Sequence, residues 1–254
     1  MWRRLLGPAA LLVALGVWEA WARSKASFLL PPASTVVERA WQVWPTREFL
    51  STAAASLKRL AAGYGIGAGI GVAFGVPLGA SRGARRALEP LTEFLRAVPP
   101  IAIVPVAIVI LGLGDGTRIA VIAFGVCFPV LVNTVEGVRA VSPETRDTAT
   151  MLQVGPVERL YRIYLPAALP SIVAGLRIAL SIGLVMLVIS EFAAGSGNGL
   201  GGYIAFQQTQ YNVPEMYGGI LFLGLLGYLL NHLFVVVERR VLSWHPGATG
   251  ELAR

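Results

Sequence analysis

The chain has 254 residues, of which 55% are hydrophobic and only 14% are charged. Soluble domains carry roughly 25% charged residues, and a single soluble core of this length cannot bury so large an apolar fraction. With a mean hydropathy of +0.66, the composition excludes an ordinary soluble domain and indicates a membrane protein. The net charge of +7 comes from short basic clusters between apolar runs, which indicates membrane orientation signals rather than a nucleic-acid partner.

Several kinds of active site are excluded by the residue types present. Cys127 is the only cysteine and lies in an apolar run, so it cannot form an intrachain disulfide or a thiolate metal cage. His232 and His245 have no neighbouring carboxylate pairs, so no metal site is predicted. Neither Lys25 nor Lys58 stands in a glycine-rich phosphate loop. We therefore expect no nucleotide cofactor in this chain.

Six apolar segments predict six transmembrane helices, and hence an all-α membrane protein. They lie at residues 1–22, 60–80, 94–113, 117–135, 167–189 and 216–237. The first segment is also compatible with a cleavable secretory signal, but Glu19 and Trp21 favour the outer end of an uncleaved span. The third segment contains Pro99, Pro100 and Pro105, which we expect to kink it.

These segments also predict how the chain is divided. The expected parts are an N-terminal transmembrane helix at 1–30, an extracytoplasmic segment at 31–59, a core at 60–240 that includes a loop at 136–166, and a cytoplasmic tail at 241–254. A short connector at 81–86 carries Arg82, Arg85 and Arg86, which is typical of a cytoplasmic loop. Alternation from this loop predicts that both chain ends lie in the cytoplasm.

Glycines recur at every fourth residue of the second span. They are Gly63, Gly67, Gly71, Gly75 and Gly79. This spacing places them on one helix face, where missing side chains let a second helix pack closely in lipid. A dinucleotide-binding loop is the alternative interpretation, but these glycines continue through an apolar segment instead of ending where a helix begins. We expect a helix packing face, with direct contact to substrate as a secondary possibility.

The loop before the fifth span is longer than a connector needs to be. Ser142 can cap a helix that begins at Pro143, with Glu144 at the positive end of its dipole. We expect this helix to run to Gln153, and Gly155 to end it in the left-handed conformation. The length of the loop predicts a protein partner; the alternative is a solvated connector with ordinary helix caps.

A second short helix is predicted to follow in the same loop. Pro156 can open it, and we expect it to reach Tyr164. Leu165, Pro166 and Pro170 would then set the angle at which the chain re-enters the membrane. Two short helices and a hinge would therefore project into the cytosol.

The loop also carries a recognisable motif. Its residues are Asp147-Thr148-Ala149, Gly155, Ile163, Leu165-Pro166 and Ala167-Ala168-Leu169-Pro170. Together they resemble the "EAA" loop of the inner-membrane permeases of type I ABC importers. Residues 96–101 and 128–134 resemble the nitrate, taurine and alkanesulfonate branch of that family. The chain departs from the family pattern at Asp147 (usually Glu), Thr148 (usually Ala) and Gln153 (usually Gly).

The resemblance implies the type I importer permease fold, with the first short helix of the loop inserted into a groove of a separate ATPase subunit. It implies two such subunits, which bind ATP and Mg²⁺, together with a second permease copy and an extracytoplasmic solute-binding protein. The chain would lie in the lipid of the bacterial inner membrane. The residues expected to couple to the ATPase are Glu144, Asp147, Thr148, Ala149, Leu152, Val154, Gly155, Arg159 and Pro166.

We therefore expect a permease that is not itself an enzyme and that imports a small anionic solute such as nitrate, a sulfonate or taurine. Charges within spans are expensive enough to suggest function, so Arg96, Arg177, Glu191 and Gln207 are the candidates for the translocation path. A structural role is an equal alternative for the two arginines. The competing functions are a secondary transporter driven by an ion gradient, which usually needs buried carboxylates and inverted repeats, and a membrane-bound enzyme.

Overall fold

The computed structural model describes residues 2–25, 28–193 and 198–244, and helices form the regular secondary structure of those ranges. They are α1 (Trp2–Lys25), α2 (Ala33–Val43), α3 (Arg47–Ala80), α4 (Arg82–Ala97), α5 (Ile103–Leu111), α6 (Asp115–Arg139), α7 (Pro143–Met151), α8 (Pro156–Arg159), α9 (Leu165–Ala193), α10 (Leu200–Thr209) and α11 (Val213–Val241). A 3-10 turn, Pro100–Ala102, precedes α5, and a π-helical turn, Leu160–Tyr164, joins α8 to α9. The predicted all-helical membrane architecture is confirmed.

Four helical segments of the described residues are long and apolar enough to cross a membrane. They are α3, α6, the continuous helix Pro156–Ala193 and α11, and they correspond to the second, fourth, fifth and sixth predicted spans. The first predicted span coincides with α1. The third, residues 94–113, is not a single helix, because α4 ends at Ala97 and only a shorter apolar helix, Pro100–Leu111, follows.

Two consecutive prolines explain the break in the third predicted span. Pro99 and Pro100 have no N–H group, so neither can extend the hydrogen bonding of α4 beyond Ala97. Val98 and Pro99 are extended, with ψ values of 119° and 125°. Pro105 does not add the expected kink, because it lies in the first turn of α5, close to the helix start that proline tolerates.

The connector predicted at residues 81–86 is the beginning of α4. The Ser81 hydroxyl accepts a hydrogen bond from the backbone N–H of Ala84 at 3.2 Å and caps the helix. The second span also begins earlier than expected, at Arg47 rather than at residue 60. α3 therefore has 34 residues and is about 51 Å long.

Contacts divide the chain into two compact units, which we describe separately. The first comprises Met1–Ser56 and Glu191–Leu226. One core cluster of this unit is built around Phe49, which is 2% exposed and makes edge-to-face contacts with Tyr203 and Phe222, at centroid distances of 5.2 and 4.9 Å. Such pairs add about 0.5–1.5 kcal/mol beyond the area they bury.

Within this first unit, α2 receives its N-terminal cap from a distant residue. The N-cap residue of α2, Pro32, makes no side-chain hydrogen bond. Instead Glu19 of α1 accepts hydrogen bonds from the backbone N–H and the hydroxyl of Ser34, at 3.0 and 2.8 Å. A carboxylate at a helix N-terminus is stabilised by the helix dipole, so Glu19 fastens α1 to α2.

The second unit comprises Leu57–Ser190 and Gly227–Arg254, and its centre is the contact between α3 and α6. Gly63, Gly67, Gly71, Gly75 and Gly79 each lie so close to α6 that an added Cβ would meet one of its atoms within 3.0 Å. The facing side chains of α6 are Ile122, Val126, Val130, Thr134 and Val138. Because both rows repeat every four residues, the ridge of α6 fits along the glycine groove of α3.

Candidate functional site

The candidate site is the segment between α6 and α9, residues 143–164, which we call the elbow. Its first helix, α7, begins where the sequence predicts. The Ser142 hydroxyl accepts a hydrogen bond from the backbone N–H of Thr145 at 3.3 Å, and Pro143 occupies the first helical position. The Glu144 carboxylate accepts a hydrogen bond from its own backbone N–H and a second one from the Ser142 hydroxyl, and both lower the pKa of Glu144.

The C-terminus of α7 is closed by a Schellman motif. The N–H of Gln153 donates to the carbonyl of Thr150, and the N–H of Val154 donates to the carbonyl of Ala149, both at 3.0 Å. The helix therefore ends at Met151, and not at Gln153 as predicted. Gln153 adopts the left-handed conformation that the motif requires, with φ at 54°.

The prediction that Gly155 ends the helix in the left-handed conformation is wrong. Gly155 has φ at −62° and ψ at 154°, which any residue can adopt, and it is the N-cap residue of α8. The left-handed position is fixed by the last helical hydrogen bonds of α7, and these place it at Gln153. The bend therefore lies at the position where the EAA pattern usually has glycine.

The second arm of the elbow is not a separate helix. α8, the π-helical turn and α9 form one continuous helix, Pro156–Ala193. The N–H of Leu165 donates to the carbonyl of Leu160, five residues earlier, and this wider turn directly precedes Pro166, whose ring would crowd a regular α-helical turn. The prediction that a separate short helix ends at Tyr164 is therefore wrong.

Arg159 joins the two arms of the elbow. Its Nε donates to the carbonyl of Val154 at 2.8 Å, and its Nη2 donates to the carbonyl of Ala149 at 3.3 Å. Its Nη1 donates to the Thr150 hydroxyl at 3.1 Å. Three hydrogen bonds from one guanidinium to the end of α7 fix the angle between α7 and the helix that begins at Pro156.

Arg146 fastens the inner face of α7 to the membrane-spanning helices. Its Nη2 donates to the carbonyls of Val138 and Arg139 at the end of α6, at 3.0 and 3.3 Å. The guanidinium also lies over the ring of Tyr164, 5.6 Å from its centroid, which is a cation–π geometry. Ala149 on the same face is 3% exposed. The inner face of α7 is therefore held by the rest of the chain.

The outer face of α7 is exposed and contains three of the nine predicted coupling residues, with a fourth directly after the helix. Glu144, Asp147, Thr148 and Leu152 are exposed, as is Pro166, whereas Val154, Gly155 and Arg159 are partly buried. Sequence reasoning missed Met151, which is 83% exposed on the same face. Its spacing of four residues from Asp147 could have indicated it.

Of the four residues predicted for the translocation path, Glu191 is fully buried. Its carboxylate accepts hydrogen bonds from the Ser56 hydroxyl at 2.8 Å and from the backbone N–H of Gly201 at 2.9 Å. The N-cap residue of α10, Gly199, has no side chain to do this. Within the first unit, the Glu191 carboxylate therefore caps the N-terminus of α10, as the Glu19 carboxylate caps the N-terminus of α2.

Gln207 lines a cavity of about 450 Å³ in the first unit, together with Tyr203, Glu48 and Glu215. Its side-chain oxygen accepts a hydrogen bond from the Asn212 amide at 2.9 Å. Burial raises the pKa of Tyr203, and the two carboxylates add to this effect. Gln207, one of the four residues predicted for the translocation path, therefore lines a cavity of the first unit.

The two predicted arginines lie in the second unit. Arg177 is 42% exposed in its side chain, and its Nη1 lies 3.9 Å from Oε2 of Glu238. Such a long, half-exposed ion pair contributes about 0–1 kcal/mol. Arg96 lies in α4, but its side chain is outside the described part of the structure.

Comparisons with known proteins identify one family of membrane transport components. A family model described as "Binding-protein-dependent transport system inner membrane component" matches residues 65–243. The bicarbonate transport system permease protein CmpB of Synechococcus elongatus is 31% identical, over 94% of this chain and 89% of its own. SsuC of Bacillus subtilis, named for aliphatic sulfonate transport, is 29% identical, over 87% of this chain and 80% of its own.

One solved structure supports the fold. The MetNI methionine ABC transporter, in inward-facing conformations, superposes with a TM-score of 0.58 at 20% sequence identity. The match covers 73% of this chain and 94% of the other chain. At this identity the likeness concerns the fold alone.

Proposed function

The chain belongs to the family of binding-protein-dependent inner-membrane transport components, and we propose that its elbow is the part that docks on the ATPase. As a member of this family it is a permease component of an ABC importer and not an enzyme; ATP hydrolysis is carried out by a separate subunit. The comparisons favour this function over a secondary transporter driven by an ion gradient.

The observation that carries the docking proposal is the contrast between the two faces of α7. The inner face is fixed by Arg146 and Arg159, whereas the outer face presents Asp147, Met151 and Leu152 to solvent. A helix that exposes large apolar side chains beside an acidic stripe is typical of a protein interface. Because the elbow is fixed internally, a partner that binds its outer face would move it as one body.

The proposed assembly contains two ATPase subunits, each with ATP and Mg²⁺, and a second copy of this permease. An extracytoplasmic solute-binding protein would deliver the cargo. The chain is a multi-pass membrane protein, and we place the elbow and both chain ends in the bacterial cytoplasm. This orientation is supported by the arginines at 82, 85 and 86, which follow the end of α3.

We propose a small anion as the solute. The support is that two relatives are named for aliphatic sulfonates and for bicarbonate. We further propose that Arg96, Arg177 and Gln207 lie along its path. Glu191, buried against Ser56, would act there by positioning α10 and not by contacting the solute.

Docking can be tested with two variants of the elbow. Asp147→Arg reverses an exposed charge, and Gly155→Trp places a large side chain where an added Cβ meets nothing within 4 Å. Glu136→Arg, an exposed acid-to-arginine change at the end of α6, is the matched control.

The measurement is ATP-dependent solute uptake by the complete transporter in proteoliposomes, with the amount of permease quantified in each preparation. Both elbow variants should lose about tenfold or more of uptake, equivalent to about 1.4 kcal/mol or more of coupling, while the control retains it. If both elbow variants take up solute at the control rate, the docking proposal is wrong.

A further inference from the structure

The helix α4, Arg82–Ala97, separates its charged residues from its apolar residues. At about 3.6 residues per turn, the charged residues fall within about 100° of the helix circumference. They are Arg82, Arg85, Arg86, Glu89, Glu93 and Arg96. The apolar residues that fall within about 120° on the opposite side are Ala84, Ala87, Leu88, Leu91, Phe94 and Leu95. This separation is typical of a helix that lies at the boundary between lipid and water.

The apolar side of α4 is open where the structure describes it. Leu91 and Phe94 are 53% and 67% exposed, and Ala87 is exposed as well. None of the α4 side chains that the structure describes is buried. Large apolar side chains on one helix face require lipid or a protein to cover them, and the positions of the two ends of α4 decide which it is.

Both ends of α4 are joined directly to apolar helices of the second unit. The apolar part of α3, residues 60–80, is about 32 Å long and matches the hydrocarbon core of about 30 Å. α3 therefore ends at the membrane boundary, and Ser81 alone separates it from α4. At the other end, Val98 and Pro99 separate α4 from the apolar helix Pro100–Leu111. A rigid helix of about 24 Å that is tied to apolar helices at both ends lies along the membrane and does not project from it.

The charge of α4 is basic and is concentrated where the helix begins. Four arginines and two glutamates give α4 a net charge of +2, and Arg82, Arg85 and Arg86 precede both glutamates. Positive charges at a helix N-terminus oppose the helix dipole, and α4 has no acidic residue in its first turn to offset them. These arginines therefore do not stabilise the helix by themselves. Anionic phosphate groups would reverse this effect, because they attract both the arginines and the positive end of the dipole.

We propose that α4 lies along the membrane surface and binds anionic phospholipid. Leu91 and Phe94 enter the upper part of the acyl chains, and the basic beginning of the helix lies against the phosphate headgroups. Gly79 at the end of α3 packs against Val138 at the end of α6, and the elbow follows α6, so this is the membrane surface from which the elbow extends. Anionic phospholipid is thereby a ligand of the permease in addition to the ATPase and the solute.

Spin labelling of the full chain in lipid nanodiscs tests where α4 lies. Cys127→Ser removes the only cysteine, and Leu91→Cys then carries a nitroxide on the apolar side of α4. Leu152→Cys, at an exposed leucine of the elbow, is the matched control; the two leucines are 53% and 72% exposed. The measurement is the frequency of nitroxide collisions with oxygen, which concentrates in hydrocarbon, and with a water-soluble nickel chelate, which hydrocarbon excludes.

The ratio of oxygen collisions to nickel collisions should be about tenfold higher or more at Leu91→Cys than at Leu152→Cys. Frequent nickel collisions at Leu91→Cys would mean that water covers this side of α4. Rare collisions with both reagents would mean that protein covers it, such as a second copy of the chain. Either result overturns the proposal. Because nanodiscs expose both membrane surfaces and the measurement needs no ATPase or solute, such a failure leaves the docking function untouched.

The class of lipid is tested with a fluorophore on Ala87→Cys, an exposed position one turn before Leu91, again in the Cys127→Ser background. Its quenching is compared between phosphatidylglycerol and phosphatidylcholine that carry the same nitroxide at the top of one acyl chain, at equal mole fraction. The comparison is repeated with Arg85→Gln/Arg86→Gln. The matched control is Arg239→Gln/Arg240→Gln, which removes an equal charge from two exposed arginines in the last turn of α11.

Phosphatidylglycerol should be enriched about fivefold over phosphatidylcholine at Ala87→Cys, which corresponds to about 1 kcal/mol, the attraction of one arginine to an anionic surface. Arg85→Gln/Arg86→Gln should abolish most of this enrichment, whereas the α11 variant should retain it. Equal quenching by the two lipids would overturn the assignment of an anionic ligand. An equal loss in both double variants would overturn it too, because the net charge of the chain and not α4 would then attract the lipid.

Discussion

Replacing Gly71 by alanine tests the backbone contact between α3 and α6. The new Cβ would lie 2.8 Å from the carbonyl oxygen of Cys127 and 2.8 Å from the Cβ of Val130. Favourable contacts between heavy atoms lie at about 3.5–4.0 Å. Since the carbonyl oxygen belongs to the backbone of α6, no side-chain rotation relieves the clash, and the two helices must separate locally.

The loss of stability can be calculated by comparison with Gly69. This residue lies on the exposed face of the same helix, and a Cβ added there meets nothing within 4 Å. Alanine improves helix propensity by about 1 kcal/mol at either position, so this gain cancels between the two variants. The remaining difference is the cost of overpacking, about 1–3 kcal/mol. Gly71→Ala should therefore be less stable than Gly69→Ala by that amount.

The assay is thermal unfolding of the two purified variants in the same detergent. For a chain of this size about 1 kcal/mol shifts the midpoint by roughly 2–4 °C, so the midpoint of Gly71→Ala should lie about 2–12 °C below that of Gly69→Ala. Equal midpoints would refute the reasoning, because they would mean that α3 and α6 can separate at Gly71 without loss.

Two further variants test the caps. Gln153→Gly should raise the unfolding midpoint, because glycine removes a left-handed strain of about 1–2 kcal/mol; a lower midpoint would contradict the Schellman assignment. Glu191→Gln should cost about 1–3 kcal/mol, because it weakens the buried hydrogen bonds from Ser56 and Gly201. Amide hydrogen exchange should then accelerate in α10 and not in α7, and uniform acceleration would argue against a local cap.

The features that the sequence predicts well depend on neighbours within a few residues. Ser142 followed by Pro143 locates the start of α7, because capping needs only the next turn of the helix. The four-residue repeat along α3 places Gly63 to Gly79 on one face. The identity of the facing helix, α6, was not accessible, because it depends on tertiary packing between distant segments.

The features that the sequence does not predict depend on contacts between distant residues, or on which of two nearby residues adopts a given backbone conformation. Glu191 lies 135 residues from Ser56, and no local pattern marks it as a cap for α10. Gly155 is the better left-handed residue by composition, but the hydrogen bonds that close α7 require that conformation at Gln153. The π-helical turn before Pro166 was missed for a similar reason: a helix can widen to accept a proline instead of ending there.

The continuity of Pro156–Ala193 has a mechanical consequence. A 38-residue helix is about 57 Å long, so a rotation of about 10° at its elbow end moves the opposite end by about 10 Å. A flexible joint at Pro166 would have dissipated that motion at the membrane surface. In the docking that we propose, small rearrangements among the ATPase subunits would thus be amplified along the length of this helix.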